Sequence, residues 1–194
     1  MQRIRILLVA TAAFAATFAT ACDAQPPLHG QSVGEPMAAA PLRATGAAGR
    51  PYALASEKGR LVLLYFGYTH CPDSCPTTLA DWARARRALG DKADGVRFVF
   101  VSVDPERDTP AVVRAWVRQF DTTFVGVAPT QPELEAIEKG WGITAYKEDT
   151  GNPKGYAVAH PAQAFFLDRA GRVRMIYPPG TKPADIAADL KRLF

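Results

Sequence analysis

Leu61–Phe66, LVLLYF, is an unbroken apolar run, and Arg97–Val103, RFVFVSV, is nearly one. Runs of this length without polar alternation predict strands covered on both faces of a sheet. Between them, Pro76–Leu89 sets Leu79, Trp82, Ala83 and Leu89 on one helical stripe and leaves Arg84, Arg86 and Arg87 largely on the wet side. Thr109–Phe120 predicts a second helix with Pro110 in its first turn, Phe124–Val127 a short third strand, and Pro132–Lys139 a further helix. Ala164–Leu167 and Val173–Tyr177 form a hairpin across Asp168-Arg169-Ala170-Gly171, and Pro183–Leu193 closes the chain as an amphipathic helix. A leading hairpin is expected from Pro41–Arg43 and Pro51–Leu54 around Gly46–Gly49. Strands that alternate with helices and end in a hairpin plus helix predict an α/β sandwich over residues 41–194, without internal repeats. Trp82, Trp116 and Trp141 are expected in its core, and Glu133, Glu135, Glu138 and Lys139 on a wet helix face.

The N-terminus follows a different pattern. Arg3 and Arg5 precede an uncharged apolar run from Ile6 to Ala21, which ends in small residues ahead of Cys22. This is the layout of a secretory signal peptide, and the run falls short of the roughly 20 residues that span a bilayer. Ala19-Thr20-Ala21-Cys22 resembles the lipobox of bacterial lipoproteins, with Ala where Leu is usual three positions before the cysteine. The expectation is a lipoprotein-type signal at 1–21, a lipidated Cys22, and a protein held on the periplasmic side of the bacterial cytoplasmic membrane. The alternatives are a cleaved soluble form or an uncleaved membrane anchor. Residues 22–40, rich in Pro, Gly and Ala, read as a flexible tether in which His29 is solvated.

Composition narrows the function without naming it. The chain has 194 residues, 48% of them hydrophobic and 22% charged, as in an ordinary globular protein. A net charge of +4 with no Lys/Arg block argues against a nucleic-acid partner. Three cysteines exclude a disulfide-dense mini-protein, and three methionines leave no Met-rich tract for a soft metal.

The chemistry concentrates in Gly67–Pro76, GYTHCPDSCP, at the C-terminal edge of the first buried strand, where ligands gather in open α/β sheets. Pro76 suits a first helical position, which places Cys75 at or near the N-cap, where the helix dipole favours a thiolate. Cys71, also followed by proline, falls in the preceding loop. Such a pair can close as a disulfide or clamp one soft metal; its three-residue spacing opens to the sulfur separation of about 4 Å that a shared metal needs. The bland alternative is two small core residues that happen to be four apart. Two thiolates need a third ligand, and the chain offers three histidines. His29 lies in the tether, and His70 adjoins Cys71 with an awkward bite. His160 precedes the terminal hairpin, at the edge that faces the cysteine loop in a thioredoxin-like layout. A Cys2His set suits copper better than structural zinc. Asp104 ends the second buried strand at the same edge, where it either serves the site, as proton acceptor or electrostatic bias, or caps the turn at Pro105–Thr109. Asp73 either raises a thiol pKa or is a solvated turn residue. Tyr68 and Tyr156 are expected as walls.

Four segments, FGYTHCPDSCPTTL (Phe66–Leu79), VSVDPERDTP (Val101–Pro110), YAVAH (Tyr156–His160) and AFFLDRAG (Ala164–Gly171), together resemble the SCO/SenC copper-chaperone family associated with cytochrome c oxidase assembly. With their spacing they cover nearly all of residues 41–194. The resemblance implies a thioredoxin-like fold, a central mixed β-sheet flanked by helices with an N-terminal β-hairpin extension. It implies one copper ion, Cu(I) or Cu(II), on Cys71, Cys75 and His160. The implied role is copper delivery to, or cysteine reduction in, the dinuclear copper centre of oxidase subunit II. Another copper-accepting protein and a thioredoxin-like reductant are further partner classes. Pro161 departs from the family, which usually has Ser or Thr there; proline restricts His160 to extended geometry and opens a cis bond.

Two functions therefore compete for the same sulfurs. A chaperone holds copper on Cys71, Cys75 and His160, whereas a thiol–disulfide reductase needs only the cysteines, with Cys71 attacking by thioredoxin analogy and Cys75 in contention. Bound copper and a Cys71–Cys75 disulfide exclude one another. A thiol peroxidase is a weaker reading, because Thr69 alone does not make a peroxide-activating constellation.

Overall fold

A computed structural model describes residues 26–149, 151 and 155–194. Its main sheet is built around β4 (Leu61–Gly67), all seven residues of which are buried. β4 runs parallel to β5 (Val96–Ser102), in register from Leu61 opposite Val96 to Gly67 opposite Ser102. β5 is in turn parallel to the edge strand β6 (Val125–Val127). On the other side β4 pairs antiparallel with β9 (Ala164–Leu167), β9 with β10 (Arg172–Tyr177), and β10 with β1 (Gln31–Ala38). The order β1-β10-β9-β4-β5-β6 is thus a mixed sheet. It is the central sheet expected of a thioredoxin-like domain.

Successive side chains of a strand point to opposite faces, so β4 feeds two cores. Tyr65 meets Trp82 of α1 (Ser74–Leu89) edge-on at 6.1 Å. Phe66 instead packs with Trp141 of α3 (Gln131–Trp141) and with Phe165. α1 packs beside α4 (Pro183–Arg192), and α2 (Pro110–Val117) lies on β6. The expected leading hairpin is present as β2 (Arg43–Thr45) and β3 (Pro51–Ala53). Trp82 is fully buried, while Trp116 and Trp141 are half-buried against the core. Glu133 is not merely a wet residue, because its carboxylate accepts from the Thr130 backbone N–H at 2.7 Å and closes a capping box on α3.

Two segments depart from the sequence reading. Residues 31–38 are a paired edge strand where a tether was expected, and His29 is pinned where a solvated residue was expected. The His29 and Gly30 backbone N–H groups donate to the buried Asp189 carboxylate at 2.8 and 2.9 Å, and His29 Nδ1 lies 2.9 Å from it. Backbone pairing and this one carboxylate hold the strand, whose side chains are mostly exposed, so its sequence carries no alternation. The second departure is a small hairpin, β7 (Tyr146–Glu148) and β8 (Ala157–Ala159), whose second strand leads into His160. No described helix is long and apolar enough to cross a membrane. The signal segment, with Arg3, Arg5 and Cys22, lies outside the described residues.

Candidate metal centre

The cysteine loop leaves β4 at Gly67 and enters α1 at Ser74, two residues earlier than Pro76 indicates. Asp73 is therefore the N-cap; it is exposed, with no side-chain hydrogen bond to the helix. Cys75 lies inside the first turn and is completely buried, while Cys71 stays in the loop and is half-buried. Gly67 makes this packing feasible, since a Cβ there would sit 2.8 Å from Cys75 Sγ and 2.9 Å from both the Phe100 and Tyr65 rings. The helix N-terminus consequently acts on the other sulfur. The backbone N–H of Cys75 points at Cys71 Sγ from 3.4 Å, and Ser74 Oγ lies 3.3 Å from the same atom.

His160 reaches the pair from the far side of the sheet edge, on the segment between β8 and β9. Its Nε2 is 3.6 Å from Cys75 Sγ. Its Nδ1 lies 3.1 Å from the Pro161 carbonyl, a contact in which Nδ1–H donates and Nε2 keeps a lone pair for the sulfurs. Every described peptide bond is trans, that of Pro161 included. The Tyr65 and Tyr68 rings stand nearly perpendicular to the imidazole, at 5.9 and 5.6 Å, so Tyr68 is a wall as expected. One donor atom each from Cys71, Cys75 and His160 lie within 4.8 Å of one another. Two soft sulfurs and an imidazole nitrogen at that spacing fit a thiophilic ion such as copper, and among the described residues they lack the fourth strong donor of a closed zinc site.

The two thiols share protons unequally. The hydrogen bond from the Cys75 thiol pulls the Cys71 pKa far below its ordinary value, against the effect of burial, with His160, Ser74 and the Cys75 N–H adding to it. Cys75 is driven up by the same hydrogen bond and by burial. The Tyr65 hydroxyl contacts the Cys75 sulfur at 3.7 Å.

The acidic residues brace the site instead of entering it. Asp104, fully buried, is bound by the Arg107 guanidinium and accepts from the Tyr156 hydroxyl at 2.8 Å. Arg107 also lies over the Tyr156 ring at 3.7 Å, so Tyr156 belongs to this brace as much as to the wall. Asp104 caps its turn as well, its carbonyl accepting from the Asp108 N–H at 2.9 Å. Asp108, passed over by the sequence reading, accepts from Thr69 N–H at 2.9 Å and from the Thr69 and Ser102 hydroxyls at 2.6 Å each. It thereby ties the loop that carries His70 and Cys71 to the end of β5. The only trace of it in the sequence is the second aspartate of the segment VDPERD. His70 lies near Asp104 and Asp108, but those carboxylates are already engaged as described.

Known proteins share this architecture. The copper-bound structure of ScoI from Bradyrhizobium japonicum is 36% identical, with a TM-score of 0.74 over 81% of this chain and 99% of that one. The solution structure of apo Sco1 from Thermus thermophilus is 32% identical, with a TM-score of 0.79 over 88% and 99%. A thioredoxin-family thiol:disulfide interchange protein from Chlorobium tepidum, 20% identical with a TM-score of 0.56, shares the fold. The mitochondrial SCO1 homologue of Mus musculus is 26% identical over 162 residues, which are 82% of this chain and 57% of that protein. This chain thus spans little more than half of its mouse relative. The SCO1/SenC sequence profile matches residues 31–194, from the first residue of β1 to the end of the chain, and the protein belongs to that family.

Proposed function

We propose that the protein is a copper chaperone that binds one copper ion through Cys71, Cys75 and His160 and supports assembly of the dinuclear copper centre of cytochrome c oxidase. The convergence of two sulfurs and one imidazole at an accessible sheet edge carries this reading. The relative from Bradyrhizobium japonicum, described as copper-bound, supports it. The half-buried Cys71 is the ligand that an incoming acceptor thiolate reaches first, so transfer to oxidase subunit II or another acceptor proceeds by exchange at that sulfur. A family member from Bacillus anthracis is described as a lipoprotein, which supports an anchor at Cys22 and a position on the periplasmic side of the membrane.

Copper stoichiometry with optical and EPR spectra on the reduced protein tests the reading. One copper per chain, with thiolate-to-copper(II) charge transfer lost in C71S, C75S and H160A, is expected. Failure of the reduced wild type to retain copper overturns it.

The unequal cysteines favour a second reading, a thiol–disulfide reductase. The Cys71 thiolate attacks a partner disulfide and displaces one partner sulfur as thiolate. Cys75 then gives up its proton, attacks the mixed disulfide and leaves Cys71–Cys75 oxidised and the partner reduced. H160A separates the two functions, because it removes a copper ligand and spares both sulfurs.

A further inference from the structure

Away from the cysteine loop, the turn between β2 and β3, the C-terminal half of α2 and the edge strand β6 enclose a cleft of about 260 Å³. Arg50 lines it from the hairpin and Arg114 and Arg118 from α2 and its end, with Tyr52, Thr122 and Phe124 among the other wall residues. Among the described residues no carboxylate lines this cleft. None of the three arginines has a salt-bridge partner among the described residues.

The walls are held by backbone. Ala47 N–H donates to the Gly126 carbonyl at 2.9 Å, and Ala128 N–H to the Thr45 carbonyl at 2.8 Å, so the hairpin is stitched to β6. A Cβ at Gly126 would lie 2.7 Å from a Val113 methyl, and one at Gly46 would lie 2.9 Å from the Arg50 carbonyl. Both contacts leave the cleft little room to collapse.

The charge pattern calls for an anion. The negative end of α2 favours a cation in its last turn. It does not account for a second cation four residues from the first, which repels it, or for a third brought in by another element.

We propose that this cleft binds a phosphate group, carried either by a soluble phosphate or by a phospholipid headgroup. Arg50 on the hairpin, Arg114 and Arg118 at the end of α2, and Thr122 on the loop before β6 line the cleft from three elements. A tetrahedral group with several acceptor oxygens can meet donors from three sides, whereas a planar carboxylate offers two oxygens in one plane. The site is independent of the copper reading, since it uses none of Cys71, Cys75 or His160.

Titration of the full chain with inorganic phosphate, followed by amide chemical shifts, is the first test. Saturable shifts at Gly46, Ala47 and Gly126 are expected, with affinity falling about tenfold in each of R50A, R114A and R118A. K182A/K191A removes two charges outside the cleft and should leave the affinity unchanged. Phenylglyoxal labelling of Arg114 and Arg118 then identifies the source. Slower labelling with phosphate alone points to a soluble phosphate. Slower labelling also with phosphatidylglycerol vesicles, relative to phosphatidylcholine vesicles, points to a headgroup. No saturable shifts in the cleft, or equal weakening in K182A/K191A, overturns the proposal.

Discussion

Replacing Asp108 tests whether the metal centre depends on a residue that touches no ligand atom of the set. Asp108 is 1% exposed and accepts three hydrogen bonds, two from Thr69 and one from Ser102. A hydrogen bond to a charged acceptor contributes about 1.5–3 kcal/mol, and stranding a buried donor costs about as much. In D108A the Thr69 N–H loses its partner outright, while the two hydroxyls can rotate toward other acceptors. The three losses therefore do not add in full, and about 3–5 kcal/mol is expected. D108N keeps the volume and one acceptor oxygen, and its amide can donate to a hydroxyl that turns round, so about 1–2 kcal/mol is expected. Urea unfolding of the three proteins measures these values. Because Thr69 is two residues from Cys71, D108N should also weaken copper about tenfold or more in competition with a copper(I) chelator. D108A within about 1 kcal/mol of wild type would refute the stability argument. D108N destabilised as expected, with copper affinity unchanged, would show that the brace serves the fold and not the centre.

Three further outcomes follow from contacts described above. G67A places a Cβ 2.8 Å from Cys75 Sγ and 2.9 Å from two rings; overpacking of about 1–3 kcal/mol should appear in thermal melts, with a shifted copper–thiolate band, and an unperturbed variant contradicts the packing. Y156F removes the hydroxyl that donates to Asp104 at 2.8 Å and should cost about 1 kcal/mol in urea, whereas Y156A should cost more because Arg107 also loses the ring at 3.7 Å. The docking of β1 should depend on pH. The hydrogen bond to Asp189 raises the His29 pKa above its ordinary 6.5, a stabilisation present below 6.5 and lost as pH rises through the raised value. Burial pushes Asp189 up, but the hydrogen bonds from His29, Gly30 and Tyr177 outweigh it and hold it below 3.8, a stabilisation present above 3.8 and lost as pH falls through the lowered value. Protection of the amides in residues 31–38, relative to their intrinsic exchange rates, should be greatest between those two limits, and H29A should abolish its loss on the alkaline side.

Elements were legible in the sequence where burial wrote a period into them. LVLLYF and RFVFVSV became β4 and β5 because both faces of each strand are covered. β1 was illegible for the opposite reason. QSVGEPMA keeps most of its side chains in solvent, with Met37 61% exposed, and is held by backbone pairing to β10. The short β7–β8 hairpin likewise leaves Tyr146, Lys147 and Glu148 exposed, so no apolar alternation marks its first strand. In the site, Cys71, Cys75 and His160 were legible because few residue types bind soft metals and the chain has few of them. Asp108 was not, because a carboxylate that accepts hydrogen bonds from Thr69 and Ser102 cannot be told from a surface carboxylate until the loop has folded over it.

The same limit decided which cysteine is the thiolate. Pro76 was read as the first helical residue, which put Cys75 at the cap and gave it the benefit of the helix dipole. With α1 beginning at Ser74, Cys75 lies inside the first turn, its sulfur packed against Gly67 and the Tyr65 hydroxyl and its N–H directed at Cys71. The positive end of the helix therefore stabilises negative charge on the loop sulfur, and the Cys75 thiol donates to that sulfur in the same sense. One sulfur is thus accessible and favoured as the thiolate, while the other is buried and favoured as the thiol. A metal or a partner disulfide arriving at this edge meets Cys71 first, and Cys75 is engaged only when its proton leaves. The order is the same for copper capture and for disulfide exchange, which is how one pair of cysteines can serve either function.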